Sequence, residues 1–306
     1  MKITTIGIDL AKNVFQVHGV DERGRAVLKK QLKRDQMAQF IKPYVKTNKN
    51  DVADAEAVCE AVARPNMRFV PVKSVEQQAV LSLHRVRQSF VKARTAQANQ
   101  IRSLLGEFGL VMPKGITNVR RRVPEVLENA TDKLPAAFRH LVERLLEHLK
   151  ELDRQVGQLE AQIKAWHRSS ELSQKLEKIP GIGPLSASAL VASIADARSF
   201  DNGRQVSAWL GLVPRQHSSG GKPTLLGISK RGDVYLRTLL IHGARSAIVA
   251  AQRNARVNPW LAGLLRRRNP NIAAVALANK NARTVWALPA HDREFRPDYV
   301  PMLAAV

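Results

Sequence analysis

Three aspartates near the start of the chain have the type and spacing that can bind metal ions. Asp9 follows the strand-like run "TTIGI", and Asp51 and Asp54 stand three residues apart in "NKNDVADAEA". Carboxylate oxygens are the ligands that Mg²⁺ prefers, and ions held this way can activate a nucleophile and stabilise a leaving oxygen. The alternatives are a structural turn residue at Asp9 and a solvated helix start at the pair. Taken together in a basic chain, the three aspartates favour a metal site.

The loop "HSSGGK" is the second group suited to chemistry, with Ser218 and Ser219 ahead of two glycines. A serine hydroxyl is a weak nucleophile that needs activation. Cations nearby in the sequence can bind a phosphate and stabilise its developing charge. They are Lys222, Lys230, Arg231 and Arg237. The alternative is an ordinary serine- and glycine-rich loop, and on these residues alone both stay open.

The charge of the whole chain points to a polyanionic partner. Lys and Arg number 49 against 26 Asp and Glu, which gives a net charge of +23 and a pI near 10.8 over 306 residues. Phosphate neutralisation drives nucleic-acid binding, so DNA or RNA is the favoured partner. No apolar run approaches the roughly 20 residues that span a bilayer. With Cys59 as the only cysteine, we expect a cytoplasmic protein without disulfides or membrane partners.

Hydrophobic spacing indicates the elements that must position these groups. Residues 3–20 and "RAVLKKQL" alternate apolar and polar side chains around turns, which predicts an antiparallel meander with Asp9 at the end of its first strand. In "LEKIPGIGPLSASALVASI", Gly181 and Gly183 open a helix of small residues. Backbone N–H groups at such a helix start can approach a phosphate.

Two long helices are predicted in the middle of the chain. Ser74 is a suitable N-cap for a helix over roughly 75–108, whose basic face includes Arg85 and Arg94. Further on, apolar residues repeat at alternating spacings of three and four, at Val142, Leu145, Leu149, Leu152, Val156, Leu159, Ile163 and Trp166. This seam is typical of a coiled coil. It fits a helical hairpin within one chain and a contact between two subunits equally well.

Five segments together resemble a known family. They are "TTIGIDLAKNVFQVHGVDERG", "VKTNKNDVADAEAVCEA", "IPGIGPLSASALVASI", "WLGLVPRQHSSGGK" and "LGISKRGDVYLRTLLIHGAR". In this order they are similar to the DEDD transposases of the insertion sequence 110 family, which are related to Piv-type DNA invertases. The resemblance covers nearly the whole chain.

The resemblance implies a fold of α/β plus α class in three regions. These are a truncated RuvC-like (ribonuclease-H-like) domain over 1–73, a helical coiled-coil region over 74–170, and a mainly helical C-terminal transposase domain over 171–306 with a helix–hairpin–helix-like segment. The implied reaction cuts and rejoins DNA through a serine, with a Mg²⁺-bearing carboxylate site. A structured non-coding RNA from the element and a homo-oligomer, dimer or tetramer, are the implied further partners.

The family's site residues carry over by motif. Asp9 matches the first carboxylate, Asp51 and Asp54 match the third and fourth, and Ser219 matches the nucleophile, with Ser218 as its alternative. The residues expected to contact nucleic acid are Arg85, Arg94, Gly181, Gly183, Lys222, Lys230, Arg231 and Arg237.

One expected residue is missing from the carboxylate set. The family places a glutamate on a strand between the first aspartate and the final pair, but residues 33–44 run almost directly into "KPYVKTNKND". Neither Glu22 nor the later Glu56 and Glu60 matches that position. An internal deletion near 37–40 therefore predicts weakened or absent Mg²⁺ binding and reduced or lost catalysis. The rival functions are a non-catalytic nucleic-acid-binding protein and a metal-dependent junction nuclease.

Overall fold

The computed structural model divides the chain into two units, Met1–Phe69 and Val70–Val306. The residues that the structure describes are 5–10, 14–20, 26–33, 72–129, 134–217, 224–253 and 258–297. Each unit is treated by itself below.

The described part of the first unit is a three-stranded antiparallel sheet. Its strands are β1 (Thr5–Leu10), β2 (Val14–Val20) and β3 (Ala26–Lys33), hydrogen-bonded in chain order. The predicted meander is therefore confirmed. Asp9 lies one residue before the end of β1, and its Cα pairs with that of Gln16 on β2.

The second unit is helical apart from one hairpin in its described residues. Its helices are α1 (Val75–Glu107), α2 (Ile116–Asn129), α3 (Ala136–Ser169), α4 (Glu171–Glu177), α5 (Pro184–Ile194), α6 (Gly203–Trp209), α7 (Val234–Arg253), α8 (Pro259–Arg267) and α9 (Pro270–Ala290). A 3-10 turn covers Ala197–Ser199, and the hairpin strands are β4 (Pro214–Gln216) and β5 (Leu225–Ile228). Within the described ranges, none of these helices is long and apolar enough to cross a membrane.

The start of α1 confirms the predicted N-cap. The Ser74 hydroxyl accepts a hydrogen bond from the Gln77 backbone N–H, and the Gln77 side chain accepts one from the Ser74 N–H. This reciprocal pair satisfies two backbone donors that a helix start otherwise leaves open. The helix then runs to Glu107, one residue short of the predicted end.

The two long helices pair with each other in antiparallel fashion within one chain. Trp166 near the end of α3 donates to Glu76 at the start of α1 at 2.6 Å. Farther along, Arg87 binds Glu160 and Arg94 binds Asp153. From one contact to the next, the residue number rises on α1 and falls on α3, which is the pattern of an antiparallel pair. The predicted seam supplies the apolar contact, since Val142, Leu149, Leu152, Val156 and Ile163 are all buried.

Two hydrophobic cores hold the second unit together. One joins the C-terminal half of α1 to α2 and the N-terminal half of α3, around Ile101, Val119, Val123 and Leu149. The other is formed by the helices from α4 through α9 and includes Leu176, Leu190, Leu210 and Leu240. Burying one such aliphatic side chain stabilises a fold by ~2 kcal/mol. This second core includes Leu210, which lies shortly before β4, and so it supports the base of the β4–β5 hairpin.

Candidate active-site hairpin and basic surface

Five of the predicted site residues lie outside the described residues. They are Asp51, Asp54, Ser218, Ser219 and Lys222. Asp9 is described only through its backbone in β1. Their roles stay predictions, and among the described residues no group of three His, Cys, Asp or Glu could hold a metal ion.

The β4–β5 hairpin flanks the two serines in sequence. The backbone N–H of His217, which follows β4, donates to the Thr224 carbonyl ahead of β5 at 2.9 Å. Residues 218–223 are the segment that joins these two positions. Every residue of β4 is exposed, and so are three of the four in β5. The hairpin therefore has little core of its own and depends on its base for a fixed position.

The base of the hairpin is fixed by backbone contacts to the turn before α7. Ser229 N–H donates to the Val213 carbonyl at 2.8 Å, and Lys230 N–H donates to the Gly211 carbonyl at 3.1 Å. Gly211 has a φ of 69°, and a Cβ there would lie 2.6 Å from the Arg231 nitrogen. A glycine is needed because any side chain would push the two segments apart.

Arg237 lies beneath this base, where phosphate contact was predicted. Only 8% of the residue is exposed. Its Nη1 donates to the Leu210 carbonyl at 3.1 Å and to the Arg231 carbonyl at 2.9 Å. The contacts favour a structural role over direct binding of nucleic acid. The sequence held a signal for this burial, because Arg237 shares a helix face with Leu240 and Ala244 at spacings of three and seven.

Lys230 and Arg231 are exposed at the same turn. Lys230 has a φ of 56°, a left-handed conformation that costs a non-glycine residue roughly 1 kcal/mol. Its side chain is exposed, and its contact with a phosphate stays a prediction. Strain of this kind is often kept at functional sites.

Gly181 and Gly183 have different surroundings, although both precede α5. Gly181 has a φ of 90°, and a Cβ there would lie 2.6 Å from the Gly243 carbonyl oxygen in α7. Its lack of a side chain is thus explained by backbone packing. Gly183 is the exposed N-cap of α5, and a Cβ added there would meet open space.

Arg85 and Arg94 also differ, although both lie on α1. Arg85 is exposed and is available to a partner. Arg94 is partly buried and lies 3.2 Å from Asp153, which Arg120 of α2 also contacts at 3.1 Å. The two ion pairs tie α1, α2 and α3 together. Arg94 therefore has a packing role that competes with phosphate contact.

Sequence reasoning missed a buried histidine that connects three helices. His84 of α1 is 1% exposed, and its ring lies 2.9 Å from the Tyr235 hydroxyl and 3.1 Å from the Ser188 hydroxyl. Burial, with a further contribution from Arg87, lowers the pKa of His84 from 6.5 to about 4. Burial likewise raises the pKa of Tyr235 above its usual value. The network joins the long helix α1 to α7, the helix that carries Arg237.

The region that holds the hairpin is almost free of acidic residues. Residues 202–291 contain fourteen Lys and Arg and one carboxylate side chain, Asp233. That carboxylate accepts from the Leu236 N–H at 2.9 Å. Exposed arginines follow one another at Arg266, Arg267 and Arg268, at the end of α8. A surface with so little opposing charge carries a positive potential that attracts a polyanion.

Two family models match the chain. The model for the transposase IS116/IS110/IS902 family matches residues 173–258, and the model DEDD_Tnp_IS110, described as a transposase, matches residues 34–109. A probable family 20 transposase of Pseudomonas aeruginosa is 47% identical over 97% of this chain and 100% of its own. The chain belongs to the IS116/IS110/IS902 family of transposases. These enzymes cut and rejoin DNA.

Two further transposases match over almost the same length of this chain. The transposase for insertion sequence element IS1111A of Coxiella burnetii is 40% identical over 96% of this chain and 92% of its own. The transposase for insertion sequence element IS1328 of Yersinia enterocolitica is 38% identical over 96% of this chain and 98% of its own.

The matched lengths exceed the length of this transposase. The Pseudomonas match extends over 337 residues and the Coxiella match over 333, whereas this chain has 306. Each relative therefore carries residues inside the matched region that have no counterpart here. The DEDD match, in turn, begins at residue 34, directly after β3 ends at Lys33, and so does not include Asp9.

Proposed function

We propose that this transposase cuts and rejoins the ends of its insertion sequence through Ser219, with Ser218 as the alternative nucleophile. The observation that carries the proposal is the family match over 173–258, which spans the β4–β5 hairpin and the basic turn at its base. In the proposed step the serine oxygen bonds to the scissile phosphorus and the bond to the leaving deoxyribose oxygen breaks. The serine proton ends on that leaving oxygen.

Lys230 and Arg231 are proposed to bind the reacting phosphate. Both residues are exposed at the base of the hairpin. Asp233 is the one acidic residue in the surrounding sequence, residues 202–291. Cations placed where charge develops stabilise a phosphoryl-transfer transition state. The wider basic surface, with the exposed Arg85 and the arginines of α8, is proposed to hold the flanking DNA.

Asp9, Asp51 and Asp54 are proposed to hold Mg²⁺. Three carboxylates supply the hard oxygen donors that this ion prefers, so the donor chemistry fits. When bound, the ion would supply charge stabilisation near the scissile phosphate. The missing glutamate leaves three of the four expected carboxylates, and the longer matches in relatives support a deletion in this chain. We therefore propose weak Mg²⁺ binding and low activity.

The finer features of the fold are proposals as well. We propose that the N-terminal unit is a truncated RuvC-like domain and that the α4–α5 segment is of the helix–hairpin–helix kind. We also propose that a structured RNA from the element and a dimer or tetramer of this chain take part. The strong net charge of +23 supports a nucleic-acid partner of large size.

Strand joining on DNA that carries the element's own ends tests the proposal. With Mg²⁺ and the element's RNA present, Ser219→Ala should lower joining at least 100-fold and remove the covalent protein–DNA product, while Ser218→Ala should keep both. Joining by Ser219→Ala would defeat the assignment. Cleavage that needs Asp9 and Asp51 but not Ser219 would support a junction nuclease.

A second candidate is a non-catalytic nucleic-acid-binding protein. The residues that relatives carry and this chain lacks favour it: if they include the strand with the missing glutamate, their loss removes chemistry without removing the basic surface. Equal DNA binding by the wild type and Ser219→Ala, with no joining by either, would establish this candidate.

A further inference from the structure

We propose that Arg237 is a positioning residue that fixes the β4–β5 hairpin to the helical core. This rests on the proposed function, because the hairpin matters to the reaction only if a serine between its strands is the nucleophile. Arg237 is only 8% exposed among the described residues, so we infer that it acts through the hairpin rather than by touching DNA. Its two acceptors belong to the segments that lead into and out of the hairpin.

The two hydrogen bonds of Arg237 join those segments at one point. Leu210 precedes β4, and Arg231 follows β5. The Nη1 atom donates to both carbonyls, at 3.1 Å and 2.9 Å. Movement of either flanking segment away from α7 would break one of the two bonds.

Arg237 lies in a helix that is packed into the second hydrophobic core. It lies in α7 beside the buried Leu236, and Leu240 one turn later is also buried. The backbone bonds from Ser229 to Val213 and from Lys230 to Gly211 add to the same junction. Through its hydrogen bonds, Arg237 can therefore connect the base of the hairpin to α7.

An arginine is a costly residue at this site, which argues for a specific use. Burying a guanidinium requires partners for a charge that water would otherwise solvate. Its hydrogen-bond acceptors in the described part of the chain are two backbone carbonyls, with no carboxylate among them. An apolar side chain would pack at lower cost. The two N–H bonds of the single Nη1 group allow Arg237 to donate to both carbonyls from one position.

Hydrogen–deuterium exchange of the free protein tests the proposal without any DNA. Arg237→Met keeps an apolar side chain in the core but removes the donors. We expect the exchange of peptides containing the Ser229 and Lys230 amides to rise about tenfold or more. Peptides from α5 and α9 should exchange as in the wild type. Arg237→Lys, which keeps a charge and one donor group, should recover part of the protection.

The matched control is Arg245→Met, an arginine on the same helix that is exposed. It should leave exchange unchanged throughout the second unit. Unchanged hairpin exchange in Arg237→Met would overturn the proposal. So would an equal rise in all peptides of the C-terminal core, because that result indicates general destabilisation. If Arg237→Met does not fold, the same comparison is made on Arg237→Lys.

Strand joining separates this proposal from the proposed function. Arg237→Met should lower the joining rate at least tenfold while its affinity for the DNA ends stays within twofold of the wild type. If Ser219→Ala still joins strands, the proposed nucleophile is wrong, but the exchange result stands. If the exchange result fails while Ser219→Ala is inactive, only the role of Arg237 is wrong.

Discussion

His84 and Tyr235 are 151 residues apart in sequence, yet the histidine Nδ1 lies 2.9 Å from the tyrosine hydroxyl. The Ser188 hydroxyl donates to the Pro184 carbonyl at 2.7 Å, so its oxygen accepts from His84 Nε2. Nδ1 then carries no proton and accepts from Tyr235. This neutral ring is satisfied on both sides, which joins α1, α5 and α7 through one side chain.

Stability should fall in mild acid because of this histidine. The pKa of His84 is lowered from 6.5 to about 4 by burial, so the folded state excludes a proton that the unfolded chain binds. The stabilisation is complete above pH 6.5 and is lost as the pH falls toward 4. The slope approaches ~1.4 kcal/mol per pH unit within that window. Urea unfolding midpoints between pH 7.5 and 4.5 measure it.

His84→Gln is the control for that titration, because the amide cannot be protonated in this range. The variant should be less stable than the wild type at pH 7.5, and the difference should shrink as the pH falls. A constant difference across the range would show that another group causes the acid sensitivity. His167 beside Glu177 is the other buried histidine of the described chain.

Gly243→Ala should destabilise the second unit although helix propensity predicts the opposite. Alanine favours a helix over glycine by ~1 kcal/mol. At Gly243, however, the Cβ would overlap the Gly181 carbonyl oxygen, and backbone on that side cannot move freely. We expect a loss of several kcal/mol in the free energy of unfolding. Gly157→Ala in α3 is the matched control, since a Cβ there has open space and should stabilise.

The helices of this protein could be predicted because their signals lie within a few neighbouring residues. Contacts between residues that are distant in sequence could not be predicted in this way. Ser74 and the seam from Val142 to Trp166 carry their signals within a few residues. Gly181 and Arg237 looked like phosphate ligands because their partners, Gly243 and the carbonyls around the hairpin, cannot be read from neighbouring residues. A close backbone approach and a phosphate loop select glycine for the same reason.

Lys230→Gly should separate the cost of the left-handed turn from the use of the side chain. Glycine adopts a φ of 56° without steric cost, so the variant should be as stable as the wild type or up to ~1 kcal/mol more stable. Binding of element-end DNA should weaken. Lys230→Ala should show the same loss of binding without the gain in stability. Unchanged binding in both variants would remove Lys230 from the phosphate-binding set.

The arginines of α8 should contribute to DNA affinity through charge. All three arginines at the end of α8 are exposed, but Arg267 also donates to the Gly263 carbonyl at 3.0 Å, so Arg266 and Arg268 are the pair to change. Arg266→Ala combined with Arg268→Ala should reduce the slope of log affinity against log salt by about 2. The control changes the same charge on α3, with Lys150→Ala and Arg154→Ala. Both of these side chains bind carboxylates of their own helix, so the slope should change little.

Restoring the missing segment should restore metal-dependent chemistry. If a deletion near residues 37–40 removed the glutamate, three carboxylates remain and Mg²⁺ is bound weakly or not at all. If the additional residues of the Pseudomonas aeruginosa relative lie here, a chimera that replaces residues 34–45 with the matching segment of that relative should bind Mg²⁺ more tightly by calorimetry. It should also join DNA strands at least tenfold faster than this chain. The same chimera with Asp9→Asn should lose both gains, because the new glutamate cannot act without the first carboxylate. Equal Mg²⁺ affinity in the chimera and the present chain would show that the deletion does not limit the site.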